Sequence, residues 1–246
     1  MGHVKKLDAI ILAGGLGTRL KRVLTDLPKA LAPVNNRPFL DIILGFLNKW
    51  GCIRRVIIAV GYMADKIIEE YTNRHEYNFE ILFSEEKKLL GTGGAIKKAL
   101  RYTKTEDVLV LNGDSYVDVN VEDLIKAHRK KRAAMTIVLK EIENANRYGR
   151  VKLNSEHRIV SFEEKNPDQK GGYINAGIYI NAGIYIFKRE LFDNIKENKV
   201  ISLEKELLPI FLEKGVYGYI SHGKFIDIGI PETYKIANTL FGEDSF

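Results

Sequence analysis

The sequence predicts an α/β fold, a Rossmann-like three-layer arrangement with helices on both faces of a mainly parallel central sheet. Short apolar runs that are typical of strands alternate with segments in which apolar residues recur at helical spacing. Such alternation favours parallel strands, because each helix carries the chain back across the sheet. Of the 246 residues, 45% are hydrophobic and 28% charged, which is ordinary for a globular protein.

The first half of the chain carries most of this prediction. Strands are predicted over residues 8–13, 55–60, 80–83 and 108–111, with helices over 38–50, 63–71 and 93–103 between them. Ligands of such sheets bind beyond the carboxyl ends of the strands. We therefore expect the glycine-rich and polar segments that follow these strands to meet at one crevice.

The second half departs from strict alternation. It contains a predicted helix over 121–131, a strand over 134–139, a strand-rich part over 148–187, a helix over 202–214, a strand near 216–220 and a short helix from Pro231. No proline-rich or serine-rich linker separates the halves. We predict one domain over 1–246, in which the second half wraps a substrate pocket onto the first.

Composition narrows the class of partner. The net charge is +6, but basic residues are scattered among acidic ones, which favours a solvated surface over a nucleic-acid or membrane site. Cys52 is the only cysteine, so the sequence excludes a disulfide within the chain. No segment has the apolar length of a signal peptide core or a membrane span. We expect a cytoplasmic protein that binds small anions.

The most informative segment follows the first predicted strand. Gly14, Gly15 and Gly17 come directly after it, and two cations, Arg19 and Lys29, follow the glycines. Glycine allows the backbone to approach a ligand closely and to present N–H groups to anions. The strand, the glycine turn and the cations together predict a polyphosphate site.

Other phosphate-binding loops match this segment poorly. The dinucleotide-binding loop of oxidoreductases needs a small residue where Leu20 stands, and the Walker loop needs a lysine directly after the glycines. A strand-to-helix turn without a ligand leaves Arg19 and Lys29 unexplained.

Two acids end apolar runs later in the chain. Asp114 follows Asn112 and Gly113, and Asp227 lies within the segment 225–231. A carboxylate in apolar surroundings is costly unless it is hydrated or bound to a cation. Two oxygen ligands, with the remaining positions left to water and phosphate, suit Mg²⁺. The alternative is that both acids cap local turns.

A second glycine-rich segment, 84–95, predicts a site for a base or ribose, because its glycines let backbone lie against a flat ring. Glu86 precedes Gly91 and Thr92 in this segment. A carboxylate accepts from both N1–H and the N2 amine of guanine, whereas a glutamine suits uracil or thymine. The alternative is an exposed acid beside two lysines.

Together these motifs resemble the signature of sugar-1-phosphate nucleotidyltransferases, G-G-x-G-T-R-L followed by P-K. The matching residues are Gly14, Gly15, Gly17, Thr18, Arg19, Leu20, Pro28 and Lys29. The order of motifs and the segment 225–234 look closest to D-glycero-α-D-manno-heptose 1-phosphate guanylyltransferases. Mannose-1-phosphate guanylyltransferases and the family's uridylyltransferases are the alternatives.

The resemblance implies transfer of a nucleotidyl group from a nucleoside triphosphate, with GTP favoured, to a sugar 1-phosphate, giving a nucleotide sugar and pyrophosphate. It implies Mg²⁺ on Asp114 and Asp227, Arg19 on the leaving pyrophosphate, and Lys29 on the α-phosphate and the sugar phosphate. A sensor without activity would be expected to lack some of these four residues. The implied nucleotide-binding residues are Leu12, Ala13, Gly14, Gly15, Gly17, Thr18, Arg19, Glu86, Gly91, Thr92, Asn112 and Gly113.

The resemblance divides the chain into 1–120, mainly for the nucleotide, and 121–246, mainly for the sugar phosphate. It implies that Gly149, Glu164 and Lys165 bind the sugar phosphate together with Lys29 and the asparagine of an I-N-A-G-I-Y segment. That segment occurs twice in succession, so Asn175 and Asn181 are both candidates. Six extra residues would lengthen a strand by roughly 20 Å. We expect one copy to bulge away, unless the duplication is an error in the sequence. The oligomeric state stays open.

Overall fold

The computed structural model describes residues 5–20, 23–142, 150–163 and 178–241. The strands are β1 (Leu7–Leu12), β2 (Pro33–Val34), β3 (Arg37–Pro38), β4 (Ile53–Val60), β5 (Glu80–Glu85), β6 (Asp107–Asn112), β7 (Ser115–Val117), β8 (Met135–Ile142), β9 (Arg150–Leu153), β10 (Ile159–Glu163), β11 (Ile178–Lys188), β12 (Val216–Ser221) and β13 (Phe225–Asp227). The helices are α1 (Phe39–Asn48), α2 (Ala64–Tyr71), α3 (Gly91–Ala99), α4 (Val121–Lys130), α5 (Leu208–Phe211) and α6 (Pro231–Leu240). No helix among these is long and apolar enough to cross a membrane.

One large sheet organises the fold, and the predicted α/β architecture is confirmed. Its strand order is β10-β9-β11-β6-β1-β4-β5, and β8 pairs with both β11 and β12. The strands β6, β1, β4 and β5 are parallel, as are β8 and β12, while β11 runs antiparallel to its neighbours. The carboxyl ends of the four central strands therefore lie at one edge of the sheet.

Two apolar clusters cover the two faces of this sheet. In β1, Ala9 and Ile11 belong to the cluster that contains α1, α2, α4 and α6, whereas Ile10 belongs to the cluster of α3 and α5. All three side chains are fully buried. A central parallel strand is covered on both faces, which explains why β1 has a continuous apolar run rather than an alternating one. Burying each isoleucine contributes about 1.5–3 kcal/mol.

The helix predicted over 202–214 is found as an unbroken helical segment over 203–214, but it is not one regular α-helix. The chain forms a π-helical turn over Leu203–Leu207, the short helix α5, and a 3₁₀ turn over Leu212–Lys214. Pro209 explains the interruption, because it has no N–H to donate and its ring collides with the carbonyl four residues earlier. In the segment predicted as a helix over 93–103, the α-helix ends at Ala99 and a 3₁₀ turn follows over Leu100–Tyr102.

A small two-stranded sheet joins the late part of the chain to the end of β6. Strands β7 and β13 are antiparallel, with Ser115 opposite Asp227. The N–H of Ile228 donates to the carbonyl of Asp114 at 3.0 Å. This pairing places two acids that are distant in sequence beside one another, at the carboxyl edge of the large sheet.

The second copy of the duplicated segment lies in β11. Against β8, Asn181 is opposite Leu139 and Tyr185 is opposite Ile137, so β11 takes four steps where β8 takes two. Gly183, within this bulge, has a φ of +81°. This is a local β-bulge within a paired strand and not the loop-out of a whole copy that the sequence predicts; that prediction stays untested, because residues 174–177 of the first copy lie outside the described residues.

Candidate active site

A cavity of about 370 Å³ opens at the carboxyl ends of the central strands. Every residue predicted to bind the nucleotide lines it, although these residues come from three separate parts of the chain. The lining consists of Leu12, Ala13, Gly14, Gly15, Gly17, Thr18, Arg19, Lys29, Ala30, Ala59, Glu86, Leu89, Gly91, Thr92, Ala95, Asn112, Gly113, Asp114 and Gly229.

The glycine turn after β1 forms one wall of the cavity. The N–H of Ala13 still donates to the carbonyl of Ala59, at 2.8 Å, as the sheet ends. From Gly14 to Arg19, no backbone N–H donates to another residue in the part of the chain that the structure describes. These donors are free to bind an anion, as the sequence predicts for a polyphosphate site.

A cluster of charged side chains lies beside the glycine turn, where Lys29 packs against Gly17. The ammonium of Lys29 lies 2.5 Å from Oδ2 of Asp114. Partial desolvation would raise the pKa of Asp114, but the charge and hydrogen bond of Lys29, with a hydrogen bond from Ser115, hold that pKa below its ordinary value. Asp114 is therefore an ionised carboxylate at neutral pH, and Lys29 is held in one position beside it.

Gly229 is the point on which the charged groups converge. A methyl group placed there would lie 2.6 Å from Oδ1 of Asp227, 3.0 Å from Nζ of Lys29 and 3.4 Å from a guanidinium nitrogen of Arg19. The N–H of Gly229 donates to Oδ1 of Asp227 at 2.5 Å and orients that carboxylate. The structure therefore brings together the four residues assigned to catalysis from the sequence.

Gly229 itself is absent from the residues predicted to form the site. Its signal in the sequence is its place two residues after Asp227, inside the motif that identified this acid. The apolar lining residues Ala30, Ala59, Leu89 and Ala95 carry no comparable signal, because small apolar residues in strands and helices are common in any core.

The two carboxylates fit a hard divalent cation. Asp114 and Asp227 offer oxygen ligands and are held side by side by the β7–β13 pairing. Within the described residues, no third histidine, cysteine or acid completes a protein-only metal site. A bound Mg²⁺ would thus take its other ligands from water and phosphate, which is its usual habit.

Glu86 lies at the other end of the cavity and is only 8% exposed. One carboxylate oxygen, Oε2, accepts a hydrogen bond from the N–H of Leu90 at 3.3 Å. The other, Oε1, is buried and accepts no hydrogen bond from the residues that the structure describes. Burial raises the pKa of Glu86 above its ordinary value. A ligand that donates hydrogen bonds to this carboxylate would satisfy its buried acceptor.

The residues predicted to bind the sugar are only partly described. Gly149, Glu164, Lys165 and Asn175 lie outside the described residues. Asn181 does not line the cavity. Its amide donates to the hydroxyl of Tyr185 at 2.7 Å and accepts from the N–H of Gly183 at 3.0 Å, so it holds the β11 bulge.

Comparisons with known proteins agree with this geometry. The nucleotidyl transferase family matches residues 8–242. The chain is 40% identical over 232 residues to the D-glycero-α-D-manno-heptose 1-phosphate guanylyltransferase of Aneurinibacillus thermoaerophilus, covering 94% of this chain and 96% of that protein. It is 38% identical to the enzyme of the same name from Campylobacter jejuni, covering 93% of this chain and 97% of that protein.

A solved structure shows the same fold. HddC from Yersinia pseudotuberculosis superimposes with a TM-score of 0.83 at 33% identity, over 96% of this chain and 100% of that one. A second crystal structure of HddC contains GMP-PN.

Proposed function

The chain belongs to the nucleotidyl transferase family, and from this premise we propose that it is a sugar-1-phosphate guanylyltransferase. Its substrates would be GTP and D-glycero-α-D-manno-heptose 1-phosphate, and its products GDP-heptose and pyrophosphate. The relatives that match over nearly their full length bear this enzyme's name.

The buried acceptor of Glu86 is the observation that favours guanine. Guanine presents two adjacent donors, N1–H and the N2 amine, which a carboxylate can accept together. Uracil presents a single donor between two carbonyl oxygens, and these oxygens would face the carboxylate of Glu86. An unpaired buried acceptor costs about 1–3 kcal/mol, so a pocket with this carboxylate favours the base that satisfies it.

The charged cluster suits an in-line displacement at phosphorus. An ionised oxygen of the sugar phosphate attacks the α-phosphorus, and the bond to the β-phosphate breaks with its electron pair going to pyrophosphate. Arg19 and the N–H groups of the glycine turn would bind the leaving pyrophosphate. Lys29 would neutralise the α-phosphate and the incoming phosphate, which otherwise repel each other.

Asp114 and Asp227 would hold Mg²⁺, which supplies further neutralisation of phosphate charge when it is bound. Their own task is to remain ionised. Lys29 assists Asp114 in this, since its charge lowers the pKa of that carboxyl. No protein nucleophile is needed, because the attacking oxygen is already an anion.

Pyrophosphate release over a matrix of substrates tests the proposal. GTP, UTP, ATP and CTP are each combined with heptose 1-phosphate, mannose 1-phosphate and glucose 1-phosphate, with Mg²⁺ present. We expect the highest kcat/KM for GTP with the heptose, and loss of activity when EDTA removes the metal. Preference for mannose 1-phosphate or UTP would support the alternatives within the family. Nucleotide binding with no release from any pair would support a sensor.

A further inference from the structure

A late segment of the chain, residues 199–204, lies against the start of α3 on the base side of the cavity. The N–H of Ile201 donates to the carbonyl of Leu90 at 2.8 Å. The carbonyl of Ile201 accepts from the N–H groups of Gly93 and Gly94 at 3.0 and 3.2 Å. These bonds tie the segment to both sides of Gly91 and Thr92, which line the cavity.

Side chains reinforce this backbone contact through Glu204. Its Oε2 accepts from the hydroxyl of Thr92 at 2.6 Å and from the hydroxyl of Ser202 at 3.1 Å. The Thr92 oxygen also accepts from the N–H of Leu203 at 2.8 Å. A threonine hydroxyl has one hydrogen to donate. The donor of Thr92 is therefore already used, although this residue was predicted to bind the nucleotide.

The backbones of Gly91 and Ile201 approach each other too closely for a side chain at position 91. Gly91 has a φ of +71°, and a methyl group on it would lie 2.7 Å from the carbonyl oxygen of Ile201. Glycine is required where backbones approach so closely in a left-handed conformation. The segment thus sits at a defined position against the loop that carries Gly91.

A short chain of contacts leads from this segment to Glu86. Leu90 accepts from Ile201 through its carbonyl and donates through its N–H to Oε2 of Glu86. Anything that fixes the peptide groups of 90–92 also fixes the carboxylate of Glu86. Glu204 holds the residue after Gly91 in the same loop, through its hydrogen bond with Thr92.

We infer that Glu204 is a positioning residue for guanine recognition. By holding Thr92, it sets the place of the 86–92 loop and so of the carboxylate that faces the base. This inference rests on the proposed role of Glu86. Glu204 does not line the cavity, and its effect on the nucleotide is indirect.

Glu206 offers a matched control for a purely structural role. It lies in the same π-helical turn, and its carboxylate accepts from the N–H of Ser202 at 2.7 Å. This hydrogen bond lies within the segment and does not involve Thr92. Glu206→Ala should remove this one hydrogen bond within the segment and leave the bond between Glu204 and Thr92 in place.

The test uses steady-state kinetics of the full chain with GTP and, separately, UTP. We expect Glu204→Ala to raise the KM for GTP about tenfold and to lower the preference for GTP over UTP, with kcat and the KM for the sugar phosphate nearly unchanged. Glu204→Gln should stay close to wild type, because its amide oxygen still accepts from Thr92. Glu206→Ala should leave the nucleotide kinetics unchanged.

Thr92→Val supplies a second variant, changed on the loop side of the same contact, and it removes both the bond to Glu204 and the acceptor of the Leu203 N–H. It should reproduce the effect of Glu204→Ala, and the double variant should be no worse than either single one. The inference is overturned if Glu204→Ala and Glu206→Ala behave alike, or if the effects at 92 and 204 are additive. The proposed function fails separately, if the wild-type chain does not use GTP. If the wild-type chain uses GTP but Glu204→Ala leaves its KM for GTP unchanged, only this inference is contradicted and the proposed function stands.

Discussion

At the scale of single residues, the candidate active site is defined by the charges of Arg19, Lys29, Asp114 and Asp227. Asp227, Lys29 and Arg19 approach Gly229 closely, and Lys29 links them to Asp114. A partly buried carboxylate such as Asp114 would be costly without a cation beside it. As a set the four charges balance one another, and the bound phosphates would enter a site whose charges are already oriented.

Arg19→Ala tests the cation on the pyrophosphate side. We expect kcat to fall by about 100- to 1000-fold, because stabilisation of the leaving group is lost. Arg19 is exposed, so the melting temperature should stay the same. Arg101→Ala, which removes an exposed arginine paired with Glu197 away from the cavity, is the control and should leave kcat unchanged. A normal kcat in the Arg19 variant would contradict the assignment.

Gly229→Ala tests the convergence of the charged groups. The new methyl group would lie too close to Asp227 and Lys29, so these side chains would have to move. A shift of about 1 Å in a catalytic group can lower the rate about 100-fold. We expect kcat to fall to that extent, measured beside Gly51→Ala, whose new methyl group meets no atom within 4 Å. Equal activity of the two variants would show that the close approach at Gly229 has no catalytic importance.

Glu86→Gln tests whether the buried charge of Glu86 lowers the stability of the fold. Burial raises the folded-state pKa of Glu86, so ionisation destabilises the fold at every pH above the ordinary glutamate value of 4.5. The neutral amide avoids this cost. Denaturant unfolding should therefore show the variant to be about as stable as wild type below pH 4.5, more stable as the pH rises towards the folded-state pKa, and ahead by a constant margin above it.

The exposed neighbour Glu85 provides the control for this pH series. Glu85→Gln should track wild type at every pH, since its side chain is already in water. A Glu86→Gln variant that loses stability on going to high pH, relative to wild type, would contradict the account of an unsatisfied carboxylate.

At the scale of elements, sequence patterns predicted well what local chemistry determines. The continuous apolar runs of β1, β4 and β6 identify central strands, because burial on both faces demands apolar residues throughout. The segment 202–214 is helical, as its apolar spacing predicts, but Pro209 interrupts regular α-helical hydrogen bonding and three helix types follow one another. The docking of Ile201 on α3 has no local signature, since it joins residues about a hundred positions apart.

The duplicated segment gives a prediction for β11. Residues 184–188 pair with β6, so the carboxyl half of the strand is fixed after the bulge. Deleting 174–179 leaves one I-N-A-G-I-Y copy joined to the same downstream residues, and places Tyr173 where Tyr179 now pairs with Val151. We expect this variant to fold, with a melting temperature within a few degrees of wild type, and to retain GTP-dependent activity. An unfolded product would show that both copies are needed.

At the scale of the whole molecule, the site depends on contacts between the early and late parts of the chain. The β7–β13 pair brings Asp227 to Asp114, and the segment 199–204 seats the loop that carries Thr92. The members of the nucleotide site could be predicted from their motifs, because glycines, cations and acids at strand ends have few other uses. Glu204 could not, because its importance comes from the contact with Thr92, whereas Gly229 lies in the motif of Asp227 but was not singled out from it.

A competition between nucleotides tests the central claim most directly. Equal concentrations of GTP and UTP are supplied together with D-glycero-α-D-manno-heptose 1-phosphate, and the sugar-nucleotide products of wild type and Glu86→Gln are weighed by mass spectrometry. We predict that wild type makes almost only GDP-heptose and that the variant shifts the product ratio towards UDP-heptose. A wild-type product that is mainly UDP-heptose, or an unchanged ratio in the variant, would contradict guanine recognition by Glu86.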